Sequence, residues 1–122
     1  MKHIAISLPF IAAFTALAHG ASAWEWMLKP ADVKYIIYGG ELGDPYAATR
    51  HDIHAAFYIR GQAAKEMFKA MGPDKKSVCF TEKGGRIREK EHITCRFRPS
   101  QGYECDFGFD LTSGKSIGGS IC

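Results

Sequence analysis

The sequence predicts an α+β domain: a mainly antiparallel sheet of five or six strands, one short helix packed on one face, and two disulfides. Three observations lead there. Several segments alternate apolar and polar residues with period two, the mark of half-buried strands. One stretch of about three turns carries apolar residues at helical steps. Four cysteines follow an exportable leader in a chain of 122 residues, a length for one domain.

The leader comes first. Met1-Lys2-His3 is a short basic start, residues 4–18 are apolar apart from Ser7, Pro9 and Thr15, and Ala21-Ser22-Ala23 places small residues where a signal peptidase reads. An apolar run of about 15 residues falls short of the roughly 20 that cross a bilayer as a helix. Residues 1–23 are therefore expected to be a signal peptide that is removed, leaving residues 24–122 as a single disulfide-bonded domain in the periplasm or outside the cell. No later segment is apolar and long enough to keep the product in a membrane.

Residues 33–38 (VKYIIY) are β-branched and aromatic and stop at Gly39-Gly40, which predicts a strand. Gly43-Asp44-Pro45 is a turn signal. Residues 51–60 alternate, with Ile53, Ala55, Phe57 and Ile59 on one face and His54, Ala56, Tyr58 and Arg60 on the other. From Gln62 to Met71 the residues favour helix, with Ala64, Met67, Phe68 and Met71 forming one stripe and Gly72-Pro73 the stop. The remainder reads as β. Strands are expected at 77–82, at 92–98 with Ile93, Cys95 and Phe97 inward, and at 103–111 with Tyr103, Cys105, Phe107, Phe109 and Leu111 inward. After a turn at 112–115, a last strand is expected over 116–122.

Cys79, Cys95, Cys105 and Cys122 lack the close pairing of a zinc site and the C-x-x-C of a redox motif, so they read as two disulfides. If the last hairpin turns at Ser113-Gly114, Cys105 faces Cys122, and Cys79–Cys95 closes the basic hairpin. A turn at Ser100 sets Cys95 opposite Cys105 instead. The pairing Cys79–Cys95 with Cys105–Cys122 is preferred.

Little of the chain has the form of a catalytic or cofactor site. His51 and His54 are three apart on a strand and so point to opposite faces, unsuited to sharing a metal. Gly114-Lys115-Ser116 shares residue types with the end of a phosphate loop, but the upstream glycine at the required spacing and a following helix are both missing. No G-x-S-x-G elbow is present, and the carboxylates Glu41, Asp44, Glu104, Asp106 and Asp110 have no pairing legible in sequence. No metal and no cofactor is expected, and the chain is read as non-enzymatic.

Charge is the uneven feature. Residues 75–98 carry eight basic side chains against three acidic ones, while the flanking segments are slightly acidic. Arg96 is expected to face Glu104 across the hairpin that turns at Ser100, which leaves the basic tip from Lys83 to Lys90, loosened by Gly84-Gly85. Lys83, Arg86, Arg88 and Lys90 are the candidate contact residues, aimed at a protein with an acidic surface or cleft. Nucleic acid is not expected outside the cytoplasm. Trp24, Trp26, Tyr35, Tyr38, Tyr46 and Tyr58 form a second group, expected to be mainly core and otherwise an interface. The function expected is an exported protein-binding domain, in the format of an inhibitor or immunity protein against a cell-wall hydrolase or toxin. The alternatives are an accessory component of an envelope or secretion assembly, acting through a sheet edge or aromatic face, and a small envelope hydrolase.

Overall fold

A computed structural model describes residues 27–76, 79 and 82–122. The leader, Trp24, Trp26 and most of the strand expected at 77–82 lie outside the described residues. Seven strands form one antiparallel sheet: β1 (Asp32–Glu41), β2 (Asp44–Tyr46), β3 (His54–Arg60), β4 (Arg86–Lys90), β5 (Ile93–Arg98), β6 (Gly102–Asp110) and β7 (Ser116–Ile117). The strands run β2-β1-β3-β6-β5-β4 across the sheet, and β7 adds to β6 beyond the end of β5. The one helix among the described residues, α1 (Gly61–Ala70), follows β3 directly, with Gly61 (φ +69°) making the corner. This is the predicted α+β architecture, with one short helix on one face and two disulfides.

The alternation read from the sequence sets the two faces. Val33, Tyr35 and Ile37 of β1 lie in register with Ile59, Phe57 and Ala55 of β3, and these with Cys105, Phe107 and Phe109 of β6. On β5, Cys95 faces Cys105 and Phe97 faces Tyr103. Helix α1 lies on this face. Ala64 and Phe68 are buried against Cys95 and Cys105, with Ile59, Met67, Met71, Ile93, Phe97 and Tyr103 packed around them. Phe68 meets Tyr103 edge to face at 5.3 Å between centroids.

The disulfides differ from the preferred pairing. They join Cys95 to Cys105 and Cys79 to Cys122. Cys105 can satisfy only one register. The hairpin between β5 and β6 sets Cys95 directly opposite Cys105 at a Cα separation of 4.0 Å, while β7 pairs as Gly108↔Ile117, two residues out of the register that would bring Cys122 to Cys105. The Cys79–Cys122 bond spans 43 residues, a closure that stabilises by about 4 kcal/mol through loop entropy.

The last strand is also shorter than expected, because after Ile117 the chain leaves the ladder and crosses the face opposite the helix. Glycine permits that path. A β-carbon on Gly119 would come within 2.6–2.8 Å of the Phe107 backbone, and one on Gly108 within 2.7 Å of the Ala55 carbonyl. The tail ends at the disulfide to Cys79. Tyr46 makes a second close approach: its ring lies on Gly39 and Gly40, and its hydroxyl donates to Asp52, which also accepts from the Gly40 N–H at 2.9 Å. Among the described residues no helix is long and apolar enough to cross a membrane.

Gly119→Ala should therefore destabilise the fold by about 1–3 kcal/mol in urea unfolding, through overpacking against fixed backbone. Gly118→Ala, whose added carbon meets nothing closer than 3.9 Å, should change stability by no more than about 0.5 kcal/mol.

Candidate functional site

The basic segment is built differently from the mobile tip read in the sequence. Arg86, Arg88 and Lys90 lie in β4, and the turn into β5 falls at Glu91-His92, with Glu91 at φ +48°. The Gly84-Gly85 turn precedes β4 and is tied down: Glu82 accepts from the Ser100 N–H and hydroxyl, each at 3.0 Å. Arg86 and Arg88 converge on Asp74, their Nε atoms each 2.7 Å from a carboxylate oxygen. Arg88 also donates to the carbonyls of Phe68 and Met71, at 2.8 and 2.6 Å, and its guanidinium stands 4.3 Å from the centroid of the Phe68 ring. It thus gives a charged donor to two carbonyls at the end of α1, of which Phe68's also accepts from the Met71 N–H at 3.2 Å, and fixes the helix to the sheet edge.

Arg86 and Arg88 are therefore structural cations. Asp74, immediately before the segment whose charge is in excess, is the partner that a local charge count misses. Lys75 adds a further tie, pairing with Glu89 at 3.5 Å while its N–H donates to the Ile87 carbonyl. Of the four candidates, Lys83 and Lys90 are exposed and have no ion-pair partner among the described residues, but they sit at opposite ends of β4. The four do not form one docking finger.

The face opposite the helix carries a second charged group. Arg96 donates to Asp106 at 2.6 Å, to Glu104 at 3.3 Å and to the Ser120 hydroxyl at 3.2 Å, and Arg60 pairs with Glu104 at 2.7 Å. The cross-strand Arg96–Glu104 pair is the one expected from the register. Within this ion-paired set two guanidiniums meet two carboxylates, and Arg96 holds the tail through Ser120. Hollows of about 380 and 650 Å³ flank the tail and share Leu42, Ser120 and Ile121 in their walls. Burial pushes up the phenols of Tyr38 and Tyr58, and the nearby Asp106 adds to the effect at Tyr58. Between the two histidines, Asp52 is committed to Tyr46 and Gly40, whose hydrogen bonds hold its carboxyl below the usual range.

What the sequence did not reveal is the half of the helix-bearing face that the described residues leave uncovered. A helix of ten residues is about 15 Å long and about 10 Å wide, whereas strands spaced about 4.8 Å apart carry the sheet well past it. Beyond α1, Val33, Tyr35, Ile37, Phe57, Phe107 and Phe109 form a continuous apolar surface in register across three strands. Its rings touch in sequence, with centroids 6.2 Å apart from Tyr35 to Phe57, 5.5 Å from Phe57 to Phe107 and 5.9 Å from Phe107 to Phe109. Phe109 and Leu111, expected inward, are exposed, as are Tyr35 and Tyr46, while Tyr38 is buried. The one signal available was the ratio of strands to helices: one short helix cannot cover a sheet this wide.

Comparison with protein families, with curated proteins and with solved structures finds no significant match.

The two arginines hold the Asp74 carboxyl down at about 2 from an ordinary 3.8. A depressed carboxylate stabilises the fold above its unfolded value and loses that contribution as pH falls through the folded one, here from about 4 to about 2. Asp74→Asn should lower the melting temperature at pH 7 and flatten its fall between pH 4 and pH 2, followed by thermal scans at stepped pH.

Proposed function

We propose that the chain is an exported, non-catalytic protein-binding domain whose contact surface is the uncovered apolar half of the helix-bearing face. The observation that carries this reading is the run of touching aromatic rings from Tyr35 through Phe57 and Phe107 to Phe109, which no charged side chain interrupts. Contiguous apolar surface of this kind, exposed at Val33, Tyr35, Ile37 and Phe109 and half-buried at Phe57 and Phe107, is typical of a binding face. Aromatic anchors on a rigid sheet are well suited to it, since they bring large contact area at small entropic cost.

The partner is a protein presenting an apolar surface rather than an acidic cleft. That choice follows from the engagement of Arg86 and Arg88 with Asp74, which leaves the hairpin too little free charge to act as the anchor. Two disulfides support the export half of the proposal, because such bonds persist in oxidising compartments. Inhibition of a hydrolase or toxin and a place in an envelope assembly are both roles that such a face serves.

The test is capture from envelope extract with three baits: the oxidised protein, Phe109→Lys, and Lys83→Glu with Lys90→Glu. A partner held by the apolar face should be retained by the first and third baits and survive high salt. Phe109→Lys should lower its recovery about tenfold or more, as placing a charge on an aromatic anchor of an apolar contact does. Loss of capture in the charge-reversal bait or at high salt would return the contact to the basic hairpin.

A further inference from the structure

The free edge of the sheet at β1 has a partner written into its own sequence. We propose that two copies of this chain join antiparallel through their β1 edges, centred on Val33, so that the two sheets become one. This goes beyond the apolar-face reading and does not rest on it.

Hydrogen-bonding direction follows from one distance. Cys95 and Cys105 stand 4.0 Å apart at Cα, which marks a narrow pair that exchanges no backbone hydrogen bonds. The N–H and C=O of Cys105 therefore point the other way, toward Ile59 of β3. Those of Ile59 point back toward β6, so Val33↔Ile59 is again a narrow pair. The N–H and C=O of Val33, and by alternation those of Tyr35 and Ile37, thus face away from β3. Along residues 32–38 that side meets no strand among the described residues, because β2 joins β1 only from Gly39 onward.

This edge lacks the usual protection. Natural edge strands are kept short, charged, bulged or broken by proline. Residues 32–38 contain no proline and only two charged residues, Asp32 and Lys34, while Val33, Tyr35, Ile36 and Ile37 are 43%, 68%, 37% and 46% exposed. The approach to the strand carries Pro30 and Lys29, the latter tied to Glu66 of α1 at 3.1 Å, and beside them Leu28 is 97% exposed.

Charge selects both partner and register. Asp32 and Lys34 flank Val33 on the face opposite the helix. Pairing centred on Val33 sets Asp32 of each copy opposite Lys34 of the other, twice across the dyad, and opposite charges in facing positions are favourable. Centring on Lys34 opposes two lysines, centring on Asp32 opposes two aspartates, and centring on Tyr35 sets each lysine against Ile36. The Val33 register also uses the whole edge: Leu28 of one copy reaches Tyr38 of the other, where β2 takes over. Pro30 then falls opposite Ile36, at a narrow pair that needs no N–H.

The test is sedimentation of the oxidised protein across a concentration series. The expected result is a dimer. Asp32→Lys and Lys34→Asp should each raise its dissociation constant by about tenfold, and the two together in one chain should restore it to within about threefold, since the charges then meet again in exchanged positions. Val33→Pro should leave a folded monomer, because the Val33 N–H is not used within the chain. Phe109→Lys should leave the dimer intact, separating this edge from the apolar face. A protein that stays monomeric, or a dimer indifferent to the charge reversals and their combination, overturns the proposal. A monomer that loses capture of another protein on Val33→Pro also overturns it, and assigns the edge to that protein's strand.

Discussion

The bond between Cys95 and Cys105 fixes the register from which the rest of the sheet follows. The two residues face one another across the narrowest kind of antiparallel pair, and both are fully buried beneath α1. A cystine fills little volume for its apolar surface, so Ala64 and Phe68 can settle directly on it. Every neighbouring pair then inherits its character by alternation. The same contact decides which side chains meet the helix, which backbone groups bond between strands, and which ones point out of the sheet at β1.

Arginine does a comparable job at the borders of the sheet. Arg88 ties the last turn of α1 to β4 through Phe68, Met71 and Asp74, and Arg96 ties the tail to β6 through Ser120 and Asp106. Planar guanidinium suits both positions because it can bond several acceptors at once and still stack on a ring. The basic excess of residues 75–98 is in large part this internal use of charge. Removing the buried carboxylate of Asp106 would leave the half-buried Arg96 with less compensation, which is why such groups read as structure before they read as a site.

How much was legible follows from what sequence encodes locally. Alternation along His54–Arg60 and Gly102–Asp110 is a period-two signal within one segment, and it placed the strands and their faces. The stripe of Ala64, Met67 and Phe68 likewise placed the helix. The Arg96–Glu104 pair was legible because a short hairpin has few registers. The disulfide pairing was not, since two hairpins competed for Cys105 and only the glycine-dependent departure of the tail after Ile117 decides between them. Asp74 escaped for a related reason: its partners Arg86 and Arg88 lie 12 and 14 residues away, across an edge that no local pattern describes. The bare apolar surface arises at a still larger scale, from the width of the sheet against the reach of one helix.

Those covering elements also explain why the two surfaces left open meet at one strand. Helix α1 follows β3 but leans toward β5 and β6, where the buried cystine lies, and the tail covers the opposite face on its way to Cys79. At β4 the edge is closed by Lys75, whose N–H bonds to Ile87. Nothing comparable reaches residues 32–38 of β1 among the described residues. Tyr35 and Ile37 therefore belong to both the apolar face, through their side chains, and the free edge, through their backbone. Fixing that backbone in a longer sheet orders the side chains that the face presents, and filling the face steadies the strand that the edge offers. Because the same residues serve both contacts, any free-energy coupling between them must act equally in each direction.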